Sequence, residues 1–242
     1  MRNLKGKKAL VTGAAGGIGQ AIVARLQSED VTVGGADLEP SQADFSFQGN
    51  LMNAEYCDDL PGRAAEAMDG LDILINNAGI ITRGPITQAT DEDYRRTMAI
   101  NVDAPYRLCR AAIPIMAAAG GGAIVNTSSC WGVHPGPNHP LYVMSKAAVA
   151  ALTQCLGMDH AHQNIRVNAV CPNEVNTPMI RSGFIQRGLD PDSAIEELNA
   201  SVPLGRIAEP EDIADVVVFL ASDEARYVCG SLIEVNGGKP VQ

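Results

Sequence analysis

Aromatic residues are scarce in this 242-residue chain: five tyrosines, four phenylalanines and one tryptophan make up 4% of it. Positive charge is scarce too, with 18 lysines and arginines against 28 aspartates and glutamates and a formal net charge of -10. That balance gives a polyanionic nucleic acid or an anionic membrane surface no electrostatic footing, so the expected partner is a small molecule. The six cysteines (57, 109, 130, 155, 171 and 229) form no CxxC pair, and the four histidines are not spaced with them as ligands. This argues against a structural zinc site and for reduced thiols in a cytosolic setting. Nowhere do 18 apolar residues run together, so no membrane span is expected. The start, MRNLKGKKALVTGAAGG, is basic and then apolar, but only ALV precedes the first Thr and Gly, which suits a first strand better than a leader.

What the chain does have is alternation. Short apolar runs rich in β-branched residues recur at 7–12, 31–37, 71–78, 122–129, 165–172 and 231–237, with a weaker one at 43–49. Near-continuous apolarity suits strands covered on both faces, as in a parallel sheet. Helical spacing lies between them: Ile18, Ile22, Val23 and Leu26 within 17–29, an Ala-rich stretch at 141–160, and Ile213, Val216, Val217 and Leu220 behind Pro210. Strand and helix repeated in this way predict right-handed crossovers and a doubly wound α/β fold, expected to be one domain over 1–242. The Gly/Pro-rich piece 131–140 and the segment 173–205 interrupt the alternation, and long loops of this kind are commonly lids.

The first strand ends in TGAAGGIG (12–19), where Gly13, Gly17 and Gly19, with Ile18, lead into a helix. Glycines there allow a tight turn and a close approach of backbone to a pyrophosphate, and the free N–H groups of the helix N-terminus favour an anion. The placement of this turn between a strand and a helix points to a dinucleotide. The next strand ends at Asp37, whose carboxylate can accept from the free ribose hydroxyls of NAD and would repel a 2′-phosphate; Leu38 follows, with no nearby cation.

Tyr142 and Lys146 stand four apart in a helical stretch. A free phenol, with a pKa of about 10, is a poor base at neutral pH. An ammonium about 5 Å away at an effective dielectric near 20 is worth roughly 3 kcal/mol, or about two pKa units, to the phenolate. Ser129, 13 residues earlier at a strand end, is placed to hydrogen-bond a substrate oxygen.

In this order, TGAAGGIG, NNAG (76–79), Asn101, Ser129, Tyr142 with Lys146, VPLGR (202–206) and NGG (236–238) closely resemble the short-chain dehydrogenase/reductase family from end to end. The resemblance implies a Rossmann-type sheet of seven parallel strands, dimers or tetramers, and hydride transfer without a metal. It implies a catalytic tetrad of Asn101, Ser129, Tyr142 and Lys146, in which Asn101 supports a water-linked proton path to Lys146 and Lys146 also holds the nicotinamide ribose. It places Asn77, Ala78 and Gly79 near the cofactor ribose, Val175 and Thr177 at the carboxamide and phosphates, and Asn50 and Leu51 beside the adenine.

Where family members usually carry Pro-Gly after the sixth strand, this chain has Pro172-Asn173. Trp131, His134, Asn138 and His139 precede Tyr142, and Asn176 and Arg181 lie in the expected lid. Such a donor-rich set with one planar cation suits a polyhydroxylated, anionic substrate. The leading expectation is an NAD-dependent dehydrogenase of a sugar, sugar acid or polyol. A 3-oxoacyl-thioester reductase is the alternative, opposed by Asp37 and by the acidic charge. A dinucleotide-binding regulator without turnover is opposed by the intact tetrad. The run Ala147, Ala148, Ala150 and Ala151 leaves a helix face open to close approach by a second copy.

Overall fold

The computed structural model describes residues 3–239. Within them, seven strands form one parallel sheet: β1 (Lys8–Thr12), β2 (Thr32–Asp37), β3 (Phe45–Gln48), β4 (Ile73–Asn76), β5 (Gly122–Thr127), β6 (Ile165–Pro172) and β7 (Leu232–Val235). Their spatial order is 3-2-1-4-5-6-7, the doubly wound arrangement with its switch between β1 and β4. Every sequence-expected strand is present. The weak one at 43–49 is an edge strand on which only Phe47 is buried, which is why its pattern is faint.

Among the described residues, nine α-helices connect the strands. In chain order they are α1 (Gly17–Gln27), α2 (Ala54–Met68), α3 (Asp91–Met98), α4 (Ala104–Ala118), α5 (Cys130–Val133), α6 (Pro140–His160), α7 (Pro178–Gln186), α8 (Pro191–Ser201) and α9 (Pro210–Ala221). One face of the sheet buries Val11, Ile73 and Ile75 against Ile22 and Leu26 of α1 and Val217 and Leu220 of α9. The other buries Leu10, Leu74 and Ile124 against Leu60 of α2, Leu108 and Met116 of α4 and, at its margin, Leu156 of α6. Fully burying one such side chain is worth about 1.5–3 kcal/mol, so these two layers fix the strand ends that carry the site.

Caps place the helix starts. Asn53 accepts from the Glu55 and Tyr56 N–H groups ahead of α2, and Thr90 and Asp93 form a reciprocal box at α3. The α1 start differs: its N-cap is Gly16, no side chain caps it, and its first turn has no acidic residue. Its N–H groups are therefore open to an external anion. The expected lid 173–205 is more regular than the sequence suggested. It folds into α7 and α8, started by Pro178 and by Asp190-Pro191, around Phe184, Ile195, Val202 and Ile207. α6 has the length and apolarity to cross a bilayer, but it buries Leu141, Lys146 and Val149 within the fold.

Candidate active site

The turn after β1 is built on two glycines that nothing larger can replace. Gly13 sits at φ 66, with the place of a Cβ only 2.8 Å from the Ala78 Cα, and a Cβ on Gly19 would collide with the Gly13 carbonyl oxygen. At Gly17 a Cβ would stand 3.0 Å from a Thr177 methyl, so the residue just before α7 borders the cradle. Thr12, to which the sequence reading gave no role, fastens the turn to β4: its hydroxyl accepts from the N–H groups of Asn77 (3.1 Å) and Ala78 (3.2 Å). The Asn77 amide donates back to the Thr12 and Gly13 carbonyls.

Asp37 ends β2 facing this cradle. Its carboxylate accepts from the N–H groups of Ala15 (2.9 Å) and Leu38 (2.7 Å), and Leu38 itself is exposed. Asn50 and Leu51 follow β3; the Asn50 side chain accepts from Met52 N–H, and Leu51 packs on the core below. An uncapped helix end, a cradle that a Cβ would fill and a carboxylate at the β2 terminus together fit a dinucleotide.

The catalytic candidates converge at the ends of β4, β5 and β6. Lys146 is 4% exposed and donates to the Thr127 carbonyl at 2.8 Å, while its Nζ lies 5.8 Å from the centre of the Tyr142 ring. Burial pushes its pKa down to about 8. The Tyr142 phenol has its pKa raised, chiefly by burial, with neighbouring Ser129 and the charge of Arg83 pulling the other way. This differs from the sequence expectation that the lysine would dominate. Lys146 stands over the ring and points its ammonium at a carbonyl, so burial prevails, and Arg83 is the cation that opposes it.

Asn101 lies in a π-helical stretch, Ala99–Asp103, inserted between α3 and α4. Its amide donates to the Ile80 carbonyl (2.9 Å) and the Ser145 hydroxyl (3.0 Å), and its oxygen accepts from Ile80 N–H (2.9 Å). A Cβ on Gly79 would meet Lys146 Nζ at 3.2 Å and Asn101 Oδ1 at 3.4 Å, so the two side chains border one narrow space. Ser128, also unremarked in the sequence, donates to the Lys146 carbonyl at 2.8 Å and fastens α6 to β5.

The remaining candidates divide by position. Trp131 packs on His139 with ring centres 4.7 Å apart and planes tilted by 47°, and meets the Tyr142 ring edge-on at 6.5 Å, forming an aromatic wall. His134 faces away to Glu234 at 3.2 Å. Asn173 lines a cleft of about 100 Å³ with Val202, Ile207 and Val235. Val175 and Thr177 are buried just ahead of α7. Asn176 is bonded to Glu209, and Arg181 is engaged by Asn176 (3.1 Å) and Asp192 (2.8 Å). The lid cation proposed from sequence thus already has a carboxylate, whereas among the described residues Arg83 has no carboxylate within ion-pair distance.

The arrangement supplies a partly buried phenol, a hydroxyl to orient an oxygen, and a neighbouring ammonium beside a dinucleotide cradle, which together suit hydride transfer with proton exchange. Comparison with known proteins agrees. The family model described as Enoyl-(Acyl carrier protein) reductase matches residues 13–239. The 3-oxoacyl-[acyl-carrier-protein] reductase FabG of Thermotoga maritima is 32% identical over 97% of this chain and 98% of its own. The aldohexose dehydrogenase of Thermoplasma acidophilum superposes with a TM-score of 0.93 at 31% identity, covering 100% of this chain and 98% of that one. A putative NAD(P) dependent gluconate 5-dehydrogenase from Beutenbergia cavernae gives 0.88 at 32% identity, covering 97% of both. With its glycine turn, seven-stranded parallel sheet and these likenesses, the chain belongs to the short-chain dehydrogenase/reductase family.

Proposed function

We propose that this oxidoreductase uses NAD to oxidise a secondary or anomeric hydroxyl of a sugar, sugar acid or polyol, with residues 1–242 acting as one cytosolic catalytic unit beneath a lid at 173–205. The carrying observation is buried Lys146, held by the Thr127 carbonyl with its ammonium 5.8 Å from the centre of the Tyr142 ring, beside the glycine turn and Ser129 at the end of β5. When bound, the nicotinamide supplies the two-electron acceptor for hydride. Tyr142 takes the substrate hydroxyl proton, and Ser129 orients the oxygen that loses it. Lys146 stays fixed by the Thr127 carbonyl, where a second donor hydrogen can hold a ribose hydroxyl. Asn101, clasped at both its amide atoms, borders the space through which a proton leaves past Lys146.

Gly13, Gly17, Ile18 and Gly19 would hold the pyrophosphate, and Asp37 the adenosine ribose. Support for NAD lies in Asp37 with the exposed, uncharged Leu38 beside it. Asp37→Ala is expected to lower the preference for NAD over NADP, measured as the ratio of their kcat/KM values, by about tenfold or more, because the carboxylate that repels a 2′-phosphate is gone. An unchanged ratio sinks the assignment.

The likeness to FabG favours a second reading, a 3-oxoacyl-thioester reductase. The aldohexose dehydrogenase likeness and Asp37 support the first. Incubating the protein with NAD and a panel of sugars, sugar acids, polyols and 3-hydroxyacyl thioesters, and following nicotinamide reduction, separates the two. Reduction with thioesters alone overturns the sugar reading. The outward face of α6, where Ala147 and Ala151 are exposed, supports self-association as a dimer or tetramer.

A further inference from the structure

The loop 80–84 is held at both ends. Ile80 is clasped by Asn101 through its N–H and its carbonyl, and Gly84 N–H donates to the Asn138 carbonyl at 2.7 Å, four residues before Tyr142. Arg83 projects from this fixed loop to the lid, donating to the Met179 carbonyl of α7 at 3.0 Å. Gly183 makes room for it, since a Cβ there would stand 2.6 Å from the Arg83 guanidinium. Arg83 also lines a polar cleft of about 250 Å³ with Thr82, Asp93, Arg96 and Gln186.

The charges around this guanidinium are unbalanced. Arg187 repels it, burial disfavours its charge, and its charge acts on the Tyr142 phenol. Asp93 in the cleft wall takes hydrogen bonds from the Thr90 N–H and hydroxyl and is drawn toward the charge of Arg96 rather than pairing with Arg83. Two arginines and one aspartate line the cleft, Arg187 adds a third positive charge close by, and this local surplus calls for an anion from outside.

Resting on the dehydrogenase reading above, we propose that Arg83 is the residue that selects a substrate bearing a carboxylate, receiving that group while Tyr142 and Ser129 hold the hydroxyl to be oxidised. The planar fork of an arginine matches two carboxylate oxygens, and its Met179 bond ties carboxylate recognition to the position of α7. A neutral polyol of the same length leaves the guanidinium without its counter-charge.

Matched pairs test this: gluconate against glucitol and threonate against threitol, as substrates with NAD and as ligands of the enzyme–NADH complex, followed by nicotinamide fluorescence. The wild-type complex is expected to bind each aldonate at least tenfold more tightly than its alditol. Arg83→Gln should reduce the aldonate-over-alditol preference by at least tenfold, through KM more than kcat. Gly183→Ala, which crowds the guanidinium while favouring the helix, should shift the preference in the same direction without lowering the thermal midpoint. An aldonate-over-alditol preference unchanged in Arg83→Gln overturns the inference, as does a wild-type complex that binds both members of each pair alike. If no alcohol is oxidised yet aldonate binding still depends on Arg83, the dehydrogenase reading falls and the carboxylate assignment stands.

Discussion

Tyr142→Phe is expected to lower kcat for alcohol oxidation by about 10² to 10⁴, the usual range for loss of a positioned acid–base group. NAD affinity, measured by fluorescence titration, should change little, because the ring, the Lys146–Thr127 bond and the glycine turn are all retained. The loss follows from placement: the Tyr142 phenol, with Ser129 beside it, is the group able to take the hydroxyl proton. Burial holds this phenol above its ordinary value, so the base form gains population as pH rises, and oxidation should accelerate on the alkaline side. Reduction needs the protonated phenol and should prevail at lower pH. A variant that keeps more than a tenth of wild-type turnover removes Tyr142 from the reaction, and with it the proposed mechanism.

Between pH 9 and pH 10 the folded protein, kept reduced, is expected to lose about 4 kcal/mol of stability, a large share of the 5–15 kcal/mol typical of a domain. Four cysteines, Cys57, Cys109, Cys130 and Cys171, are at most 1% exposed. Burial raises their pKa values to about 11, 12, 12 and 11 respectively. In the unfolded chain a thiol ionises near 8.5. These groups therefore stabilise the fold fully below that value. The contribution drains as pH rises toward the folded values, at up to about 1.4 kcal/mol per thiol per pH unit.

Lys146 acts in the opposite sense. Its folded pKa of about 8 lies below its ordinary 10.5, so the unfolded chain holds the extra proton between those values and stability rises with pH there, by about 1.4 kcal/mol per unit. One lysine does not offset four thiols. Urea midpoints at pH 7.5, 9 and 10 with a reductant present measure the balance. Cys109→Ala should reduce the slope by about one thiol's share, whatever it does to stability at neutral pH. A midpoint that stays level to pH 10 contradicts the account.

Strands and motifs were legible in the sequence because their causes are local. A β-branched run covered on both faces, or a glycine that must avoid a carbonyl, leaves its mark within a few residues. Helices α2 and α4 were less legible, because Pro61 and Pro114 lie inside them, held there by packing on the second face of the sheet. Arg83 shows the larger gap. Nothing in ITRGP distinguishes it, and its surroundings arise only when α7, about a hundred residues later, comes to lie over loop 80–84. Arg181 had the better sequence context, yet Asp192, eleven residues on, engages its charge. Long-range pairing decided between the two cations, and residue type alone does not carry that information.

The π-helical stretch at Ala99–Asp103 carries one residue more than a regular helix would need. Deleting one position there would give an unbroken α-helix from Asp91 to the end of α4 and more regular bonding. It would also swing every side chain of α3 by about 100° relative to those of α4. Asn101 would then leave Ile80 and Ser145, and loop 80–84 would lose its anchor at one end. Helical regularity and the anchoring of loop 80–84 by Asn101 are thus opposed at this one point.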